Sequence, residues 1–429
     1  MTPQVLIAGV SVRGMAESAV RAGYAVIAID AYADLDLVAI ADTRPVAPYS
    51  AQAAATAAAT VTTATRATRA TRATTVGEGA PTRRPIQRPD DHERAARRDD
   101  AGRVAVCYVS NFENHLDALR QLTRGRHLWG NSPATLAAAR APRAWAQALA
   151  DAGIPVPRLR ESAPRSGTID ARGRWLIKPR RSGGGHGIRP WRSGISVSRD
   201  CVLQERITGA AGSIAFAADG RQSIPIAVTR QLIGERALGA PPFRYCGNIL
   251  APADDPTWGH DTPLWHAAVV TAEVATRAFG LVGVNGIDFI ARRGRPIPIE
   301  INPRFTAAME LAERRDGISI FAAHVAGCTH ALATYGPLAT PSRGSGAVGK
   351  AIVFARHALT VGPATPDWLA DPDVRDIPRP GTHIPRGAPI CSVFAVADTG
   401  VECQAQLLRR ANRIYEATER SEWRLVVGG

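Results

Sequence analysis

The sequence predicts an α/β protein: a doubly wound, Rossmann-like sheet at the amino terminus, then an α+β nucleotide-binding part. Three observations predict it. A strand–turn–helix–strand pattern fills residues 4–30. An apolar strand ending in a lysine runs into a glycine-rich loop at residues 175–187. Two β-patterned segments at residues 286–301 carry one carboxylate each in apolar surroundings.

In the first unit, Val5-Leu-Ile-Ala8 reads as a buried strand and Gly9-Val-Ser-Val-Arg-Gly14 as a turn. Met15 to Ala22 reads as a helix closed by Gly23, and Ala25-Val-Ile-Ala-Ile29 as the next strand, ending at Asp30. The turn is neither the G-x-G-x-x-G dinucleotide fingerprint nor a Walker loop, so Asp30 alone is a weak sign of NAD. Ala-Thr-Arg repeats follow from Ala64 to Ala73, then a Pro/Arg/Asp mixture. Such composition buries too little apolar surface to offset ordering entropy, which predicts a disordered insertion over 51–102. The strand pattern resumes at Arg103-Val-Ala-Val-Cys-Tyr-Val109, followed by a helix from about Glu113 to Thr123.

A capped helix starts at Asn131-Ser-Pro, and a second runs from Pro142 to about Ala152 before Gly153-Ile-Pro-Val-Pro157 stops it. Strands are expected near 174–178, 201–205, 213–218 and 224–229, and a long helix over 263–279. Gly286-Ile-Asp-Phe-Ile290 and Pro296-Ile-Pro-Ile-Glu-Ile301 form a hairpin around Arg292-Arg-Gly-Arg295, and a helix runs from Ser319 to Thr334. The rest has strands at 351–354 and 390–396 around a proline-rich stretch, and a final helix over 402–418. The resulting division is 1–130, 131–335 and 336–429, the last as an α+β subdomain.

Composition narrows the function. The 429 residues are 45% hydrophobic and 21% charged, ordinary for a globular chain. No apolar run is long enough for a membrane helix, and the chain starts on a strand pattern rather than a cleavable signal. Six scattered cysteines lack zinc or redox spacing, which fits free thiols in a reducing cytoplasm. The net charge of +14 includes +4 from residues 51–103, with ten arginines and six acids. The remaining +10 forms no basic helix or aromatic-studded strand, so nucleic acid is not the expected partner.

The chain has two lysines, Lys178 and Lys350, against 50 arginines (52 cations less two). Where arginine serves as the default cation, a retained lysine marks a place for a compact point charge. Lys178 ends an apolar strand. Gly183, Gly184, Gly185 and Gly187 follow and can set backbone N–H groups against phosphate oxygens. Asp288 and Glu300 can face one cleft across the hairpin, and alternation puts Asn302 on the face of Glu300. Two carboxylates and an amide oxygen are hard ligands that suit Mg²⁺ shared with phosphates. Glu300 sits within Ile-Pro-Ile-Glu-Ile, where an unpaired carboxylate is costly.

Leu176-Ile-Lys-Pro…Gly-Gly-Gly-His-Gly187, Val202-Leu-Gln-Glu-Arg-Ile207, Gly286-Ile-Asp-Phe and Ile299-Glu-Ile-Asn-Pro-Arg304 resemble, in order and spacing, the ATP-grasp superfamily. The resemblance covers residues 130–330 and implies an ATP-grasp fold behind the Rossmann-like domain. It implies that Lys178 binds ATP phosphates under the glycine loop and that Gln204, Glu205, Arg206 and Ile207 form the adenine hinge. Asp288, Glu300 and Asn302 would hold Mg²⁺, with Mn²⁺ as a substitute. Arg304 would stabilise the transferring phosphoryl group, and Arg143 falls near a basic phosphate-binding position of the family. The acidic ribose-binding residue is replaced by Gly209-Ala-Ala-Gly-Ser213, which either shifts that load towards Glu205 or weakens nucleotide affinity.

The implied activity is a cytoplasmic carboxylate–amine ligase working through an acyl phosphate. Small-molecule carboxylate and amine are its partners, and family analogy adds a homodimer. Arg230, Arg244 and Tyr245 could clamp a substrate carboxylate, Arg230 as a catalytic group. The segments Ser110-Asn-Phe-Glu-Asn114 and Leu128-Trp-Gly-Asn131 resemble ATP-grasp proteins of methylotrophs and methanogens. Some of those join glutamate to tyramine for methanofuran-type C1 carriers, a place in cofactor biosynthesis. A biotin-carboxylase-like enzyme activating bicarbonate and a non-catalytic ATP sensor are the alternatives.

Overall fold

The computed structural model describes residues 2–61, 104–163, 174–335, 346–419 and 424–425. The amino-terminal sheet is parallel. Gln4–Ala8 lies between Ala25–Asp30 and Ala105–Tyr108, with Asp42–Pro45 and His127–Leu128 at the edges. Val5, Leu6, Ile7 and Ala8 are wholly buried because helices cover both faces. This is the doubly wound unit expected from residues 4–30.

The expected disordered insertion is corrected at its start. Ala51–Ala59 is a helix. The Ser50 hydroxyl caps it by accepting from Ala53 N–H at 3.0 Å. Ala51, Ala54, Ala55 and Ala58 form its buried stripe. Low complexity hid a sequence whose alanines are the best helix formers and recur at helical spacing. The rest of that expectation, from residue 62 to 102, lies outside the described residues.

Two antiparallel sheets follow. The smaller has four strands, in the order Leu159–Arg160, Cys201–Glu205, Trp175–Pro179, Arg189–Pro190. One face packs Trp175, Ile177, Leu203 and Trp191 together, leaving Leu176, Lys178, Val202 and Gln204 on the other. The larger has eight strands, and Ala210–Asp219, Ser223–Ile233, Tyr245–Leu250 and the hairpin Val282–Arg292/Arg295–Asn302 supply five of them. Pro263–Phe279 is the long helix expected over 263–279.

After residue 346, Leu359–Thr360, His383–Ile384 and Arg424–Leu425 form a small antiparallel sheet, but the long strands join the eight-stranded one. Ala347–Phe354 pairs with Tyr245–Leu250, Pro389–Ala397 extends the same sheet, and helix Gly400–Glu419 packs on it. The proposed boundary at 336 therefore divides one sheet. Strand pairing across a hundred residues leaves no local sequence signal. The helix expected over 319–334 is Ile320–Cys328 followed by the short turn Leu332–Tyr335, and Ala307–Asp316 is a further helix.

A buried ion cluster ties the parts together. Arg13, 1% exposed, donates to both oxygens of Glu310 and to Asp376 Oδ1 at 2.9 Å. Lys350 Nζ donates to Glu310 Oε2 at 2.9 Å. The second lysine is thus structural. Arg13 and Lys350 hold the Glu310 and Asp376 carboxyls far below the ordinary range against the opposing effect of burial.

His324 is a second buried device. Its Nδ1 accepts from Val284 N–H at 3.0 Å, and its Nε2 lies 3.2 Å from the Trp129 carbonyl oxygen, which fixes the Nε2–H tautomer. Burial lowers its pKa to about 4. The unfolded chain binds this proton below about pH 6.5 and the folded chain does not. Stability contributed by neutral His324 is therefore full above pH 6.5 and is lost as pH falls towards 4, by about 3 kcal/mol. Urea unfolding at stepped pH should show this slope, and His324→Gln should flatten it.

Candidate active site

Lys178 and the hairpin carboxylates come together between the two antiparallel sheets. Lys178 Nζ donates to Gln204 Oε1 at 3.1 Å and to the Ile299 carbonyl at 3.3 Å. Gln204 Nε2 donates to the same carbonyl at 3.1 Å. That oxygen is available because the hairpin carries a bulge: Asp288 faces Glu300, Phe289 faces Pro298, and Ile299 is the extra residue. The bulge turns one backbone acceptor out of the ladder towards the lysine. Burial lowers the Lys178 pKa, while Glu300 and Asp288 oppose that shift.

Asp288 and Glu300 are direct cross-strand partners, and Gly286 pairs with Asn302. Asp288 Oδ1 accepts from Gln231 Nε2 at 2.8 Å and Oδ2 from Asn302 Nδ2 at 2.9 Å. Burial, then the charge of Glu300, raises the Asp288 pKa to about 6. Glu300 is shifted the other way, because Arg140 and then Lys178 outweigh its burial. Two like charges on facing, half-buried strand positions are what a divalent cation relieves, so these residues fit Mg²⁺ or Mn²⁺. Among the described residues no three His, Cys, Asp or Glu side chains cluster as a metal site. The donor set here is two carboxylates and one amide.

The glycine loop is seated against the opposite wall. Gly184, Gly185 and Gly187 have φ of +60°, +80° and +71°. Tyr245 N–H donates to the Gly184 carbonyl at 3.1 Å. A Cβ on Gly185 would lie 1.8 Å from the Phe243 carbonyl oxygen, whereas one on Gly183 would meet nothing within 4 Å. Gly185→Ala should therefore unseat the loop and weaken ATP binding by about tenfold, the equivalent of ~1.4 kcal/mol of backbone strain. Gly183→Ala should bind ATP as the parent does. Calorimetric titration of both variants checks this.

Residues 143–308 match the family model for an ATP-grasp domain. The chain carries an ATP-grasp domain. Its whole length follows solved structures of the same fold. An L-amino acid ligase from Bacillus licheniformis is 13% identical, with 100% of this chain and 99% of that one covered and a TM-score of 0.62. N5-carboxyaminoimidazole ribonucleotide synthetase from Thermotoga maritima is 14% identical, with 96% and 98% covered and a TM-score of 0.61. The biotin carboxylase domain of a single-chain bacterial carboxylase is 18% identical, with 99% and 90% covered and a TM-score of 0.60. No protein of curated function matches the sequence.

Within this ATP-grasp domain the residues expected to form the hinge divide. Gln204 is buried beside Lys178. Glu205 accepts from the Arg158 N–H and Nε, each at 3.2 Å, so the carboxylate assigned a ribose load is engaged by an arginine. Arg206 is exposed, with its guanidinium 5.9 Å from the Phe243 ring centroid, and Ile207 is half-buried. Arg304 reaches across domains: Nε donates to Glu113 Oε1 at 2.7 Å and Nη2 lies 3.3 Å from Asn302 Oδ1.

Two arginines sit elsewhere than expected. Arg143 is 69% exposed in its side chain and pairs with Glu161 at 3.1 Å. The basic position near the carboxylates is filled by Arg140, at the end of helix Pro133–Ala139. Arg140 pairs with Glu300 and donates to Asn114 Oδ1 at 3.1 Å and the Ser182 carbonyl at 3.0 Å. Arg230 points away from the site, because alternation gives that face to Thr229 and Gln231, and its Nη2 donates to Gln404 at 2.6 Å. The residue facing Asp288 is its neighbour Gln231. Of the other clamp candidates, Arg244 donates to His186 in the glycine loop at 2.6 Å, and the buried Tyr245 hydroxyl bonds Asn248.

Proposed function

We propose that the protein is an ATP- and Mg²⁺-dependent ligase that activates a carboxylate as an acyl phosphate and joins it to an amine. One observation carries this reading: a compact cation on one sheet bonds the Ile299 carbonyl of the hairpin that bears the carboxylate pair, with a positive-φ glycine loop beside them. The ligases and carboxylases of the same fold support it.

In this reading Lys178 and Arg140 neutralise the phosphates, and the glycine loop presents N–H groups to them. Asp288, Glu300 and Asn302 would hold the divalent cation, which supplies charge neutralisation on the phosphates. Arg304 faces the group being transferred, its orientation fixed by Glu113 and Asn302. No covalent nucleophile is needed, since catalysis of this kind is positioning and charge stabilisation.

The deciding experiment is ADP release from ATP·Mg²⁺, screened against single carboxylates and then carboxylate–amine pairs. Glutamate with tyramine comes first, the pair used by the C1-carrier ligases that the sequence resembles. Turnover only with a pair establishes the ligase. Turnover with bicarbonate alone makes the protein a carboxylase. ATP binding without turnover across the screen speaks for a sensor.

A further inference from the structure

Among the described residues, three of the six buried side-chain polar atoms without a hydrogen-bond partner sit at the carboxyl edge of the amino-terminal sheet. They are Glu113 Oε2, Asn111 Oδ1 and the Tyr49 hydroxyl. Tyr49 follows the strand Asp42–Pro45, and Asn111 and Glu113 follow Ala105–Tyr108. Tyr49 and Phe112 share one apolar cluster, which holds these loops together. Glu113 has a side chain 1% exposed, and its other oxygen is taken by Arg304. Asn111 directs its Nδ2 outward to within 3.4 Å of His115 Nε2.

Buried polar atoms in native proteins are paired, and an unpaired carboxylate oxygen is among the costlier exceptions. All three atoms here can accept hydrogen bonds, and one belongs to a carboxylate. Burial, then the charge of Glu113, pushes the Tyr49 pKa up, so its hydroxyl stays protonated with lone pairs free. The group that satisfies such a set is compact, cationic and rich in donors. A primary ammonium has three N–H donors and one charge, whereas a water donates at most two hydrogen bonds and brings no charge.

We propose that Glu113, Asn111 and Tyr49 form the subsite for a primary ammonium group, the amine substrate of the ligase. The assignment rests on the ligase reading for the word substrate. The subsite is joined to the carboxylate pair by one arginine: Glu113 holds Arg304 at 2.7 Å, Arg304 reaches Asn302 at 3.3 Å, and Asn302 holds Asp288 at 2.9 Å. An amine here lies across Arg304 from the carboxylates proposed to hold the metal. Glu113 then has two tasks, one oxygen orienting Arg304 and the other holding the amine.

The test is thermal melting of the full chain at pH 7.5, without nucleotide, in propylammonium chloride or tetramethylammonium chloride at equal ionic strength. The quaternary ion carries the charge but no N–H donor. Propylammonium should raise Tm by about 2 °C over the quaternary salt at roughly ten times its Kd. Asn111→Leu should abolish that difference while leaving the Glu113–Arg304 pair in place. Asn111→Asp, which adds charge at constant volume, should enlarge it and keeps the test open if the leucine variant folds poorly. Equal effects of the two salts, or an undiminished difference in Asn111→Leu, would overturn the subsite. Propylammonium selectivity in a protein that turns over no carboxylate–amine pair would keep the subsite and remove the ligase reading. Turnover with an amine but without that selectivity would do the reverse.

Discussion

Replacing Lys178 with alanine should lower kcat/KM for ATP by at least about 100-fold, close to 3 kcal/mol of lost transition-state stabilisation. The lysine stands where its ammonium reaches Gln204 and the Ile299 carbonyl, beside Glu300 and Asp288. Alanine removes the phosphate counter-charge and takes the ammonium donor from Gln204 Oε1, while the Ile299 carbonyl keeps Gln204 Nε2. Lys178→Arg should rescue little, because a planar fork does not fit where a point charge bridges two oxygens. Steady-state ADP release measures the loss, and an unchanged Tm shows that it is not unfolding. Near-parental turnover would take Lys178 out of the site.

Glu300→Gln should abolish Mg²⁺-dependent turnover and weaken Mn²⁺ binding by more than about tenfold. Glutamine preserves size and one acceptor oxygen but removes the charge that pairs with Arg140 and, with Asp288, suits a divalent ion. The consequences separate by readout. Loss of metal binding, followed by the electron-spin signal of free Mn²⁺, reports the ligand role independently of catalysis. Loss of folding stability reports Arg140, which is left 11% exposed without its ionic partner. A variant that binds Mn²⁺ as the parent does would exclude Glu300 as a ligand.

Much of this site is local and therefore legible in the chain. Lys178 ends a strand, the glycines follow within nine residues, and Asp288, Glu300 and Asn302 lie on one hairpin whose alternation sets their faces. The missed residues are those that a second element brings in. Arg140 stands three residues before the arginine chosen for its role, and nothing in the local pattern says which side chain a helix end turns inward. Arg230 stands out in the sequence by its charge. Strand register decides that Gln231 faces Asp288, and register depends on the partner strand. Glu113 looked like the start of a helix and proved to be the contact between the first domain and Arg304.

The sequence by itself determined the periodicities, the strand–lysine–glycine-loop order and the oxygen-ligand hairpin, because these depend on neighbours a few residues apart. It also located an alanine-rich stretch without reading it as the helix that Ser50 caps. The tertiary structure alone decided which cations face the carboxylates and that the carboxyl-terminal strands complete the central sheet. It alone set Glu113 against Arg304 and left Glu113 Oε2 without a partner. Those features depend on the packing of segments a hundred or more residues apart, where burial and strand register decide what a side chain meets.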